Sequence, residues 1–331
     1  MSVELRGMRI RDGFRALGRR RWVVVGLQLA AVAVLLGALA YAFRDAWEEA
    51  QPRLRHADPV ELGIALAITA AYYLLFTIAW QRILRAWGIR IPYFLALQAE
   101  MASILAKYIP GTVWIPAARV AALRRAGIRD TALILASVIL EAGLSAVAGV
   151  VIFFAALAAI GVEDAPILPL LAFTAVCVVG LHPRVFSPLA RRVLKPFGAS
   201  DFPPLPWRTL LGVMGFYGCT WLVGGAAVFF LLRSVGGDPE WTDIPYLGGV
   251  SAVAAIVAVL SIVTPSGLGV REASMYGLLV AIVPDGVALG ATILNRLTIT
   301  IVEAALLAVG AFAWKKRPDY TSVDPPAPQE E

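Results

Sequence analysis

Thr264-Pro265-Ser266-Gly267-Leu268-Gly269-Val270-Arg271-Glu272 interrupts an apolar stretch that otherwise runs from Ile244 to Val283. A second stretch, Tyr93–Leu123, is broken in the same way at Pro110-Gly111. Proline and glycine halt a helix, and a helix halted in lipid leaves N–H and C=O groups that hydrocarbon cannot satisfy. Such a break has to be buried in protein or line a wet cavity. Each is expected to form a re-entrant hairpin or a pair of short spans.

The rest of the chain supports lipid as its solvent. Of 331 residues, 59% are hydrophobic and 16% charged, and the mean hydropathy is +0.76, which excludes a soluble globular protein. Six stretches have the length and apolarity of spans: Trp22–Phe43, Leu62–Trp80, Thr131–Ile160, Pro166–Leu181, Thr209–Leu232 and Val287–Trp314. The first is 22 residues long. A cleaved signal has an apolar region of about 7–15, so a retained membrane helix is expected. Cys177 and Cys219 sit in apolar runs and His56 and His182 are isolated, which argues against a disulfide framework and a metal cluster. No cofactor is expected.

The net charge of +6 is not a nucleic-acid signal, because the basic residues lie between spans. Residues 1–21, 81–92, 119–130, 182–208 and the tail hold 22 of the 29 Lys and Arg residues, while the opposite side keeps Arg44, Arg53, Arg55 and Arg233 beside eleven acids. By the positive-inside rule the basic side is cytoplasmic, as are both termini, in a multi-pass protein of the cell (inner) membrane.

The expected fold is an all-α polytopic membrane protein of two inverted-topology repeats, each three spans plus a re-entrant or broken helical hairpin. Repeat one covers about 22–162 and repeat two about 163–314. Pro110 and Pro265 open the two breaks, and Leu84-Arg85-Ala86-Trp87-Gly88 is matched by Leu232-Arg233-Ser234-Val235-Gly236. Glu141 and Arg296 each lie 31 residues beyond the proline of their half. Residues 1–21 form a basic cytoplasmic segment, residues 315–331 a disordered cytoplasmic tail, and Arg184–Phe197 an interfacial amphipathic connector.

Gly/Pro-interrupted segments at matching places mark the midplane site of a transporter. New helices begin at Gly111-Thr112 and Gly267-Leu268, and their N-terminal N–H groups suit a phosphate or carboxylate. Arg119 and Arg271 lie within two turns of those starts and add charge. These six residues are the candidate substrate-binding set. The intramembrane charges are Glu100, Lys107, Glu141, Arg271, Glu272, Arg296 and Glu303. Each costs at least about 2.5 kcal/mol at the bilayer centre unless paired or hydrated. Glu141, Glu272 and Arg296 are the candidate gating or coupling residues, with Glu141 expected to pair with Arg296 across the halves. Tyr108 and Trp114 read as interface anchors. No P-loop, G-x-S-x-G or paired His/Asp arrangement occurs, so catalytic residues and ATP-driven pumping are not expected.

These residues resemble the membrane region of lysylphosphatidylglycerol synthases, a flippase-like family of integral membrane proteins. The likeness rests on Lys107-Tyr108-Ile109-Pro110-Gly111 with Arg119 and Arg124, on Ser137-Val138-Ile139-Leu140-Glu141, and on the Thr264–Glu272 segment. It spans essentially Trp22–Trp314. Two positions depart from the family pattern. Ser266 stands for a usual Gly, and Ala142 where many members carry Arg, which directs the search for a partner of Glu141 to Arg296.

The resemblance implies movement between leaflets of a lipid with a charged, phosphate-bearing head group, such as an aminoacyl-phospholipid or polyprenyl-linked sugar. With Glu331 ending the chain soon after Trp314, a stand-alone member without the soluble synthase domain is expected. The expected partners are the membrane lipid, a glycosyltransferase of the kind associated with related members, and a second copy in a homodimer. Two alternatives are a non-transporting partner of a glycosyltransferase and an intramembrane enzyme acting on polyprenyl phosphate.

Overall fold

The structure, a computed structural model, describes Gly37, Tyr41 and residues 44–107, 113–160, 167–195, 205–261 and 267–315. Residues 1–21, most of the span expected at Trp22–Phe43, Pro110-Gly111-Thr112, Pro265-Ser266 and the tail beyond Lys315 lie outside them.

Every described element is helical. In chain order the α-helices are α1 (Arg44–Arg55), α2 (Pro59–Ala86), α3 (Tyr93–Ala106), α4 (Trp114–Arg125), α5 (Thr131–Ile160) and α6 (Ile167–Leu181). They continue as α7 (Pro183–Leu194), α8 (Trp207–Ser234), α9 (Ile244–Leu260), α10 (Val270–Leu279) and α11 (Asp285–Lys315). Four of the six expected spans fall within α2, α5, α8 and α11, which have the length and apolarity to cross a bilayer. With the short 3-10 turn Trp241–Asp243 before it, α9 is a fifth helix of that kind. The expected span Pro166–Leu181 contains α6, whose 15 described residues cover about 22 Å, and residues 161–166 before it lie outside the described residues.

The ends of these helices are set locally. Asp58 caps α2, its Oδ1 accepting N–H bonds from Val60 (2.7 Å) and Glu61 (3.2 Å), with Pro59 at the first helical position. The matched pentapeptides make the same stop. Gly88 and Gly236 take positive φ (79° and 78°), and the carbonyls of Leu84 and Leu232 accept the N–H groups of Ile89 and Gly237, each at 2.9 Å. Leu123-Arg124-Arg125-Ala126-Gly127 does so again at the end of α4, with Gly127 at φ 90° and Ile128 N–H bonded to Leu123 O. The pattern is thus a helix stop, and its recurrence alone does not mark a repeat.

Two long helices, α2 and α8, run antiparallel through the centre. At one end Asp58 N–H donates to Ser234 O (2.8 Å) and Arg233 pairs with Glu61 (2.9 Å). Toward the other, the Arg82 guanidinium lies 4.4 Å from the centre of the Phe216 ring. The first end is ringed with acids, Glu49 accepting the N–H of Gly286 at the start of α11. The second end gathers Arg82, Arg85, Arg124, Arg125, Arg184, Arg191 and Arg192, with α7 brought in by Phe186 stacking on Trp87.

The broken segments form hairpins. α3 and α4 have 14 and 12 residues, about 21 and 18 Å, too short to cross singly. The start of α3 (Ile91, Leu95) and the end of α4 (Ala122, Leu123) bury themselves in one apolar cluster with Trp80 and Leu84. In the second hairpin, Tyr246 at the start of α9 donates to Leu278 O near the end of α10 (2.8 Å). Each hairpin therefore begins and ends at the same face, the first at the basic end and the second at the acidic end.

Small residues let α9 sink between its neighbours, as is common where helices must approach without a hydrophobic drive between them. A Cβ on Gly225 of α8 would sit 2.3 Å from Ile244 O and 2.5 Å from Gly248 N, both backbone atoms that cannot rotate away. Gly225→Ala is expected to destabilise the protein by about 1–3 kcal/mol or more. Gly215→Ala, with nothing within 4 Å of the added Cβ, is expected to be neutral or mildly stabilising. Thermal unfolding in detergent checks the contrast.

Candidate functional site

The two hairpins and the central helices line an open-sided cavity of about 190 Å³, with Tyr72, Tyr73, Glu100, Trp221, Arg271 and Asn295 in its wall. That is room for several waters or a phosphate-sized group rather than a whole lipid, whose chains would remain in the bilayer. Six helices supply the lining, so its shape depends on how both hairpins are seated.

Arg271 reaches this wall from the first turn of α10. The approach to α10 needs two residues at positive φ, Gly267 (66°) and Gly269 (83°), which favour glycine. Gly267 also lies so close to α9 that a Cβ there would be 2.3 Å from Ala258 Cβ. Glu272 closes the helix start by accepting the Gly269 N–H at 2.7 Å. Leu268 sits half-buried in the turn.

The intramembrane charges sort into three ion-paired groups. Arg119, only 5% exposed, bonds through its two terminal nitrogens to Glu100 and to Glu141, and its guanidinium lies 4.5 Å from the centre of the Trp80 ring. Tyr217 adds a hydrogen bond to Glu141 Oε1 (3.3 Å). Lys107 pairs with Glu303, which also accepts from the Tyr73 hydroxyl at 2.5 Å. Arg296 pairs with Glu272 at 3.4 Å. Among the described residues, Arg271 alone of the seven expected intramembrane charges has no ion-pair partner. A guanidinium without an ion-pair partner beside a cavity in lipid is a place for an anion. Among the described residues no group of three or more His, Cys, Asp or Glu is disposed to hold a metal ion.

The family model described as Lysylphosphatidylglycerol synthase TM region matches residues 28–306. The chain belongs to this family. No curated protein matches the chain significantly. The match takes in both hairpins, every helix that lines the cavity and each ion pair above.

Within this lysylphosphatidylglycerol synthase TM-region protein, the expected bond between Glu141 and Arg296 does not form. Each pairs instead with the second arm of the hairpin in its own half: Glu141 with Arg119 on α4, and Arg296 with Glu272 on α10. Equal spacing from the two prolines does not put side chains in contact: α5 packs mainly against α9, and α11 meets arms of both hairpins. Arg119, expected to hold substrate, is instead saturated by two carboxylates. Gly111 and Thr112 lie outside the described residues, as does Tyr108; Trp114 is 44% exposed. The cavity also draws on residues that the sequence reading had not placed in the site: Glu100, Tyr72, Tyr73, Trp221 and Asn295. Glu100 was visible as an intramembrane charge, and Asn295 is the polar neighbour of Arg296 in an apolar run.

Proposed function

We propose that this protein moves a lipid with a phosphate-bearing head group, such as an aminoacyl-phospholipid or polyprenyl-linked sugar, between leaflets. The observation that carries the reading is Arg271, a cation without an ion-pair partner among the described residues, in the wall of the cavity between two hairpins. The head group's phosphate sits against Arg271 and the first turn of α10, just beyond Gly267-Leu268, where helix N–H groups favour an anion. The acyl or prenyl chains stay in lipid. The helix lengths support two inverted halves, since α2 and α8 each have 28 residues and α5 and α11 have 30 and 31. In this reading the halves rock about the α2–α8 pair, and the pairs Glu141–Arg119 and Glu272–Arg296 hold each hairpin to its half. The basic end faces the cytoplasm, a second copy forms a homodimer, and a glycosyltransferase supplies or consumes the lipid.

Native mass spectrometry of the purified protein tests the substrate side directly. A specific anionic or glycosylated lipid is expected to co-purify and to be lost in Arg271→Ala. A wild-type protein retaining only bulk phospholipid, in the same proportions as the variant, contradicts the reading.

A further inference from the structure

The Glu100–Arg119–Glu141 group is not balanced: two carboxylates share one guanidinium, deep in the protein, with the three residues 7%, 5% and 3% exposed. The Glu100 oxygen that does not face Arg119, Oε1, is buried and has no hydrogen-bond partner among the described residues. Glu100 is also the member of the group that borders the cavity. A buried carboxylate oxygen without a donor is costly, and two like charges on one counter-ion repel.

We propose that Glu100 and Glu141, sharing Arg119, form a proton-exchange site that opens to the cavity through Glu100. A hydronium ion in the cavity gives up its proton, an O–H bond forms at the Glu100 carboxylate, and water is released. The group passes from one net negative charge to neutrality. Two coupled carboxylates titrate as a pair, so the proton belongs to the site rather than to one residue.

The groups around it set the sense of coupling. From α4 comes Arg119; from α5, Glu141; from α8, Tyr217; and from α2, Tyr72 and Tyr73. On α11 and at the end of α3, Glu303 and Lys107 neutralise each other, as do Arg296 and Glu272 on α11 and α10. Arg271 on α10 is the positive charge left over at the cavity, and it opposes proton uptake. An anionic head group on Arg271 cancels that opposition, so proton and head group favour one another's binding. This coupling rests on the function proposed above, whereas the proton site does not.

Infrared difference spectroscopy of the protein in liposomes, stepped between neutral and acidic pH, reads the site. The wild type is expected to show a titrating carboxylic-acid C=O band that is lost in both Glu100→Gln and Glu141→Gln, since either change leaves one carboxylate on Arg119. The band persists in Glu303→Gln. Absence of the band in the wild type, or its survival in both glutamine variants, overturns the proposal. Should the band behave as expected while fluorescent phosphatidylglycerol is not moved by the wild type, the proton site stands and the transport reading falls.

Discussion

Arg271→Ala is expected to reduce lipid translocation by roughly 10- to 150-fold while leaving the protein folded. The figure follows from about 1.5–3 kcal/mol for a hydrogen bond to a charged group. Arg271 has no ion-pair partner among the described residues, so its removal strands no buried carboxylate there. The α10 start is held by Gly267, Gly269 and Glu272, which the substitution leaves in place. The loss should therefore show in transport and not in melting temperature. Arg271→Lys is expected to recover only part of the activity, because an ammonium keeps the charge but not the planar fork that meets a phosphate with two bonds. An Arg271→Ala protein that moves lipid at the wild-type rate excludes this residue from the head-group site.

The reverse pattern is expected at Arg119. Arg119→Ala leaves Glu100 and Glu141 buried without their counter-ion and opens space against Trp80. Removing one member of a buried ion pair costs about 3–5 kcal/mol. At roughly 2 °C per kcal/mol for a long chain, the melting temperature in detergent should fall by about 6–10 °C. Replacing all three charges together, as Arg119→Met with Glu100→Gln and Glu141→Gln, is expected to restore most of that loss. A neutral set of similar volume strands no charge. If the triple variant melts as low as Arg119→Ala, the group's contribution lies in shape rather than charge.

The two broken segments were legible in the sequence because proline and glycine act locally. Pro110-Gly111 and Pro265-Ser266-Gly267 divide runs that would otherwise be helices, and the arms on either side fold as hairpins. The long helices were legible for the same reason, since apolar length is a property of one segment. Pairing was not. Glu141 and Arg296 stand at the same distance from their prolines, yet which arm each helix leans on depends on packing that no spacing encodes. Glu100 shows the same limit: its charge in lipid was plain, but its place at the cavity wall follows from how α3 meets α2, α4 and α11. The Leu-Arg-x-x-Gly pentapeptide points the other way, a local signal read as a long-range one. Its third occurrence at Leu123–Gly127 shows that it codes for a helix end.

The central claim is that the protein carries a lipid by its charged head group, and translocation by the protein in liposomes tests it most directly. Wild type and Arg271→Ala would be reconstituted at equal density, with fluorescent phosphatidylglycerol or a head-group-free diacylglycerol analogue in one leaflet. The movement of each to the other leaflet would be followed by quenching. Wild type should accelerate phosphatidylglycerol well above the rate in protein-free liposomes, and Arg271→Ala should not, with the diacylglycerol unaffected by either protein. Equal acceleration of both lipids, or none by wild type, would contradict the claim.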